Sequence, residues 1–176
     1  MRRILLLAAV ALAACQPPSP QTKAEAPPPA PTTVAACNDV APDASKQVTL
    51  QSQPLAAAAL AEGLDGGPVT PGTYDLASGN VADGAPAWTS SQAVALNVTE
   101  AGGVVTFNYA ALPSGGGDAD RWTAAFREGP PAGLNFTCGR TGEAPITFEA
   151  QGQNLRLMIP AAGGTGSVFY NFVRRA

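Results

Sequence analysis

From residue 72 onward, apolar and polar side chains alternate with a period of two. Val94, Leu96 and Val98 alternate with Ala95 and Asn97, and Val105, Phe107 and Tyr109 with Thr106 and Asn108. Trp122, Ala124 and Phe126 stand opposite Arg121, Thr123 and Arg127, while Leu134, Phe136 and Cys138 stand opposite Asn135 and Thr137. Ile146 and Phe148 oppose Thr147 and Glu149, and Leu155, Leu157 and Ile159 oppose Asn154 and Arg156. A strand turns successive side chains to opposite faces, so this period predicts half-buried antiparallel strands. Eight are expected, at 72–77, 92–98, 103–109, 121–127, 134–138, 145–150, 153–160 and 167–174. A segment at 47–52 is a candidate ninth, and only the alanine-rich stretch 55–62 reads as helix.

The connections agree with that count. Glu100-Ala101-Gly102-Gly103 and Gln151-Gly152-Gln153-Asn154 have the residues of hairpin turns, and Ser114-Gly115-Gly116-Gly117-Asp118 those of a looser loop. The fold class is therefore all-β, a small antiparallel domain of about eight strands. Short sequential connections favour an up-and-down barrel, lipocalin-like in type, over a β-sandwich. The last strand carries Val168, Phe169, Tyr170, Phe172 and Val173 on both faces, as expected of a strand that is covered twice or closes the sheet. The inward set of Tyr74, Val105, Phe107, Tyr109, Trp122, Phe126, Phe136 and Phe148 is bulky and predicts a filled interior.

Composition narrows the function more than it defines it. A chain of 176 residues suits one domain with appendages. There is no histidine, which removes Ser-His-Asp and Cys-His catalysis together with the commonest metal ligand. Residues 37–176 hold seven basic and twelve acidic side chains, a net charge of −5, which argues against a nucleic-acid partner.

The N-terminal segment carries a different message. Met1-Arg2-Arg3 is a basic start, followed by an apolar run from Ile4 to Ala14. As a helix that run rises about 16 Å, against a hydrocarbon core of about 30 Å, so it suits a secretory signal rather than a membrane span. It ends in Leu12-Ala13-Ala14-Cys15, which resembles the lipobox of bacterial lipoproteins. The resemblance implies cleavage between Ala14 and Cys15, a diacylglycerol on the Cys15 thiol and acylation of the new amino group. Gln16 follows where an Asp would signal inner-membrane retention, so the resemblance also implies the outer membrane, facing the periplasm. Seven prolines between residues 16 and 36 predict a disordered, semi-rigid spacer that can reach roughly 65 Å. The expected organisation is a signal at 1–14, a lipidated Cys15 with its Pro-rich tether at 15–36, and a β-domain at 37–176.

With Cys15 lipidated, Cys37 and Cys138 remain, and two cysteines in an exported domain are expected to form a disulfide. Lys46 is the sole lysine beyond the tether, and its neighbour Ser45 lacks the spacing of a Ser-Lys dyad. Asp118 and Asp120 begin like a calcium loop, but Trp122 stands at its fifth position and the later ligands are missing. Arg174-Arg175 forms a small basic cluster that could meet lipid headgroups. No metal, cofactor or catalytic residue is expected. The leading expectation is a non-catalytic lipoprotein of the bacterial cell envelope that binds an envelope protein partner. A small-ligand carrier using the barrel interior is the alternative, and a carboxylate-dependent hydrolase a second.

Overall fold

The alternating segments become strands in the computed structural model, which describes residues 36–52, 56–161 and 165–176. The signal, Cys15, the spacer up to residue 35, Leu55 and part of the glycine-rich run after Ala161 lie outside the described residues. Two short strands, β1 (Gln47–Val48) and β2 (Leu50–Ser52), precede the helix α1 (Ala57–Ala61). Eight longer strands follow: β3 (Gly72–Ala82), β4 (Gln92–Ala101), β5 (Val104–Pro113), β6 (Asp120–Arg127), β7 (Ala132–Cys138), β8 (Glu143–Gln151), β9 (Asn154–Pro160) and β10 (Ser167–Arg174).

From β3 to β10 each strand pairs antiparallel with the next, and β10 returns to pair with β3. The sheet is thus a closed eight-stranded up-and-down barrel with two added strands. Closure leaves no free edge along most of the barrel, which removes the usual site of strand-to-strand aggregation. The candidate ninth strand is two strands, interrupted at Thr49. Of the expected helix 55–62 the described residues form helix over Ala57–Ala61, because Ala56 and Glu62 have extended backbone at its two ends.

Alternation places the apolar set inside, as expected. Tyr74, Phe107, Tyr109, Trp122, Phe126 and Phe148 are buried in one core, with Val105 and Phe136 packed against it. Phe126 stacks on Phe107 at 5.2 Å and meets Phe148 edge-on at 5.1 Å. Outward positions carry Thr106, Asn108, Thr123, Asn135 and Arg156, and the exposed large apolar residues among those described are Val104 and Val173. This sidedness is the reverse of a barrel that faces lipid.

The barrel has one seam. β3 pairs with β4 only from Gly72 to Asp75, opposite Val98 to Ala95. At Ala77 the register against β10 shifts, with Asn171 opposite Ser78 but Phe172 opposite Leu76, so β3 bends there. Above the bend β3 parts from β4, and the gap is filled from the N-terminal side. β1 pairs with β4 through Gln47 and Val48, and β2 runs parallel to β3 from Leu50 to Ser52. Gly79 makes room for this: a Cβ there would lie 2.5 Å from Leu50 Cδ2.

Residues 37–46 form a strap across the outer wall. Cys37 is bonded to Cys138 at the end of β7. Asn38 Nδ2 donates to the carbonyls of Trp122 and Tyr109 at 3.0 and 3.2 Å, and Arg121 Nη1 donates to the Val40 carbonyl at 2.6 Å. Val40 packs on Ala95 and Ala110, small outward residues of β4 and β5. Lys46 Nζ then reaches Asp75 Oδ2 on β3 at 2.8 Å. The strap therefore crosses from β7 to β3, and its continuation fills the seam.

Candidate functional site

Loops 83–91, 114–119 and 139–142 lie at one end of the barrel together with Ala161 and residues 165–166, which is set by the up-and-down order of the strands. Between them lies a half-enclosed cavity of about 350 Å³. Its walls come from four places far apart in sequence: Trp88 from the β3–β4 loop, Tyr109 from β5, Tyr170 from β10 and Leu50 from β2. Asp118, Asp120 and Arg140 stand around it. The cavity lies within the size range of small-molecule sites, about 300–1,000 Å³, and has their mixture of aromatic wall and few polar groups.

The wall is a continuous row of rings. Trp88 lies 6.3 Å from Tyr170, Tyr170 6.4 Å from Tyr109, and Tyr109 stacks on Trp122 at 4.8 Å. Trp122 meets Phe136 edge-on at 5.4 Å, which continues the row into the core. The Tyr109 and Tyr170 hydroxyls influence each other's ionisation. Burial pushes the Tyr170 hydroxyl up to about 12 and the Tyr109 hydroxyl well above its ordinary value. Both phenols are therefore neutral at physiological pH, and the formal charge of the mouth is that of Asp118, Asp120 and Arg140.

Arg140 links the rim to the wall. Its guanidinium lies 5.6 Å from the Trp122 ring centre and 5.8 Å from that of Phe136, within cation–π range. Its Nη2 is 3.5 Å from Asp120 Oδ2. Beneath it, Trp122 Nε1 is the buried side-chain polar atom without a hydrogen-bond partner among the described residues. A buried donor left unpaired costs about 1–3 kcal/mol.

The sequence-predicted residues fall in several places. Cys37 and Cys138 are bonded to each other. Ala14 and Cys15 lie outside the described residues. Asp118 and Asp120 both line the mouth, where Asp120 faces Arg140. Ser45 donates to Asp43 Oδ1 at 2.7 Å while Lys46 is turned to Asp75, so the two neighbours serve different partners. Arg175, half of the basic C-terminal cluster, also turns to Asp75 instead of standing free. Trp88, Tyr170, Leu50 and Arg140 gave no site signal in sequence. Each is an unremarkable residue locally, and the one hint was that Tyr170 belongs to a strand apolar on both faces.

The bulky inward set fills the barrel below the tyrosines but not at its mouth. A larger and more open groove, about 710 Å³, lies at the opposite end between segment 64–68 and the turn 128–131. Six of its thirteen lining residues are glycine or proline, Phe148 is its one aromatic ring, and Asp65 and Glu128 are its charged groups. The carboxyl held below the usual range in the barrel wall is Asp75, and both its oxygens are engaged by cations on the outside. Among the described residues no three acids or cysteines cluster to hold a metal, and no helix is long and apolar enough to cross a membrane. The arrangement at the mouth is suited to holding a molecule by contact. The chain matches no known protein family, no curated protein and no solved structure.

Proposed function

We propose that this chain is a non-catalytic binding module of the bacterial cell envelope, tethered by lipid on Cys15, that holds a small ligand at the mouth of its barrel. The observation that carries the ligand reading is the aromatic-walled cavity of about 350 Å³ above a filled core. That cavity favours the carrier over the protein-partner expectation, since it is concave and its aromatic floor stands on β5 and β10. The tether reading rests on the Leu12-Ala13-Ala14-Cys15 resemblance and the Pro-rich spacer, and places the barrel in the periplasm at the outer membrane. A lipid with two or three chains holds a protein stably to a leaflet, whereas one chain does so marginally.

Native mass spectrometry tests both halves on the full chain, expressed in a bacterial host and extracted from membranes in maltoside. The expected mass lacks residues 1–14, carries acyl glycerol, and includes a reproducible non-covalent adduct. Trp88→Ala is expected to lose the adduct and keep the lipid. A mass beginning at Met1 overturns the tether reading, and a bare chain in every preparation overturns the ligand reading.

A further inference from the structure

Wall and rim of the mouth share one electrostatic preference. An aromatic face carries partial negative charge, and Trp88, Tyr109 and Tyr170 line one cavity, Tyr109 with its other face stacked on Trp122. Both tyrosines keep their protons, so the wall attracts a cation through its rings without carrying formal charge. At the rim Asp118 and Asp120 outnumber Arg140, leaving a formal charge of −1 at the mouth of a domain whose own net charge is −5. Arg140 is already committed to Asp120 and to two rings, which leaves the Asp118 carboxylate as the rim charge with no ion pair among the described residues. The same ring row already accommodates one cation, the Arg140 guanidinium, 5.6 Å from the centre of Trp122.

We propose that the ligand held at the mouth is a small organic cation of the alkylated ammonium class, seated against the Trp88–Tyr170–Tyr109 wall with Asp118 and Asp120 at its rim. This rests on the ligand-binding reading above. An alkylated ammonium has a diffuse charge and an apolar surface, so it loses little hydration on meeting aromatic carbon. A primary ammonium or a metal ion is held best by several close oxygen acceptors around it, whereas the carboxylates here stand at the rim and the wall is aromatic. An anion would face two carboxylates against a single guanidinium already paired with Asp120, and the negative faces of the rings.

The test uses the full chain in maltoside micelles, titrated calorimetrically with choline, benzyltrimethylammonium and 3,3-dimethylbutan-1-ol. The alcohol has the shape of choline with carbon in place of the charged nitrogen. The expected result is saturable binding of the two cations, with choline at least about tenfold tighter than the alcohol. Added salt is expected to weaken the cations and leave the alcohol unchanged. Trp88→Ala, a loop residue only half-buried, and Asp118→Asn are each expected to weaken choline several-fold while the circular dichroism of the barrel stays unchanged. Equal affinity for choline and the alcohol overturns the cation and leaves an apolar ligand site standing. Absence of binding by either cation at millimolar concentration also overturns it, whereas the ligand reading itself stands or falls on the mass-spectrometric adduct.

Discussion

Arg175 grips Asp75 with a two-pronged set of hydrogen bonds: Nε lies 2.9 Å from both carboxylate oxygens, and Nη2 lies 2.6 Å from Oδ1. The pair joins the penultimate residue to the outer face of β3, and Lys46 of the strap adds a third contact at 2.8 Å. Asp75 is only 4% exposed, so one buried carboxylate fastens the C-terminal end, the strap and the barrel wall together. Arg175 Nη2 also donates to the Ala41 carbonyl at 3.0 Å, which ties the strap a second time.

Removal of that grip is expected to cost stability without opening the barrel. Arg175→Ala leaves a buried carboxylate with Lys46 as its remaining cation. Breaking a fully buried pair costs about 3–5 kcal/mol, and the part-exposed cations here reduce this to roughly 2–3 kcal/mol. Urea denaturation of the variant against the parent chain reads this directly. A change within about 0.5 kcal/mol would mean that Lys46 alone suffices.

The same pair has a pH signature. Burial raises the Asp75 pKa, but hydrogen bonds from Arg175 and Lys46 outweigh it and hold the carboxyl below its ordinary value. A depressed folded pKa stabilises above the unfolded value of about 3.9, and that contribution is lost as pH falls through the folded value. The stability gap between the parent and Arg175→Ala is therefore expected to be flat from about pH 5 to 8 and to narrow below about pH 4. A gap that instead closes towards alkaline pH would assign it to a different group.

The disulfide bridges a sequence separation of 101 residues and pins the strap to the end of β7. Loop-closure entropy makes its loss worth roughly 2–5 kcal/mol. The double variant Cys37→Ser, Cys138→Ser is expected to unfold at lower urea concentration with a larger change on unfolding. Its native near-ultraviolet dichroism should persist, because Asn38, Arg121 and Lys46 still hold the strap.

Gly139 decides how closely the mouth loop approaches β6. Its φ is +76°, and a Cβ there would lie 2.0 Å from the Arg121 carbonyl oxygen and 2.9 Å from Trp122 Cα. Both contacts are backbone, so neither can swing aside. Gly139→Ala is expected to displace the loop that carries Arg140 and to destabilise the chain by about 2 kcal/mol or more. Gly116→Ala, with a similar φ of +78° but no atom within reach of its Cβ, separates backbone strain from the close approach. Thermal unfolding of the two variants should show the larger drop at Gly139.

Alternation along the chain was enough to place eight strands and to sort their side chains into an inner and an outer face. It works because a strand has only two sides, and a half-buried one records them residue by residue. Phe107 and Phe126 could be assigned inward from sequence, and they stack there. The pairing of Cys37 with Cys138 followed from there being no other cysteine beyond Cys15. The expected strand 72–77 stops before Ser78-Gly79-Asn80, yet β3 runs through these residues to Ala82, because β10 and β2 supply hydrogen bonds on its two sides. The grip on Asp75 joins residues 29 and 100 positions away, and no local pattern marks such partners. The mouth is the same case: Leu50, Trp88, Tyr109, Arg140 and Tyr170 meet only once closure of the sheet has brought β10 beside β3 and bent β3 away from β4. Periodicity is a property of neighbours along the chain, whereas a cavity is a property of which distant segments the hydrogen-bonded sheet sets side by side.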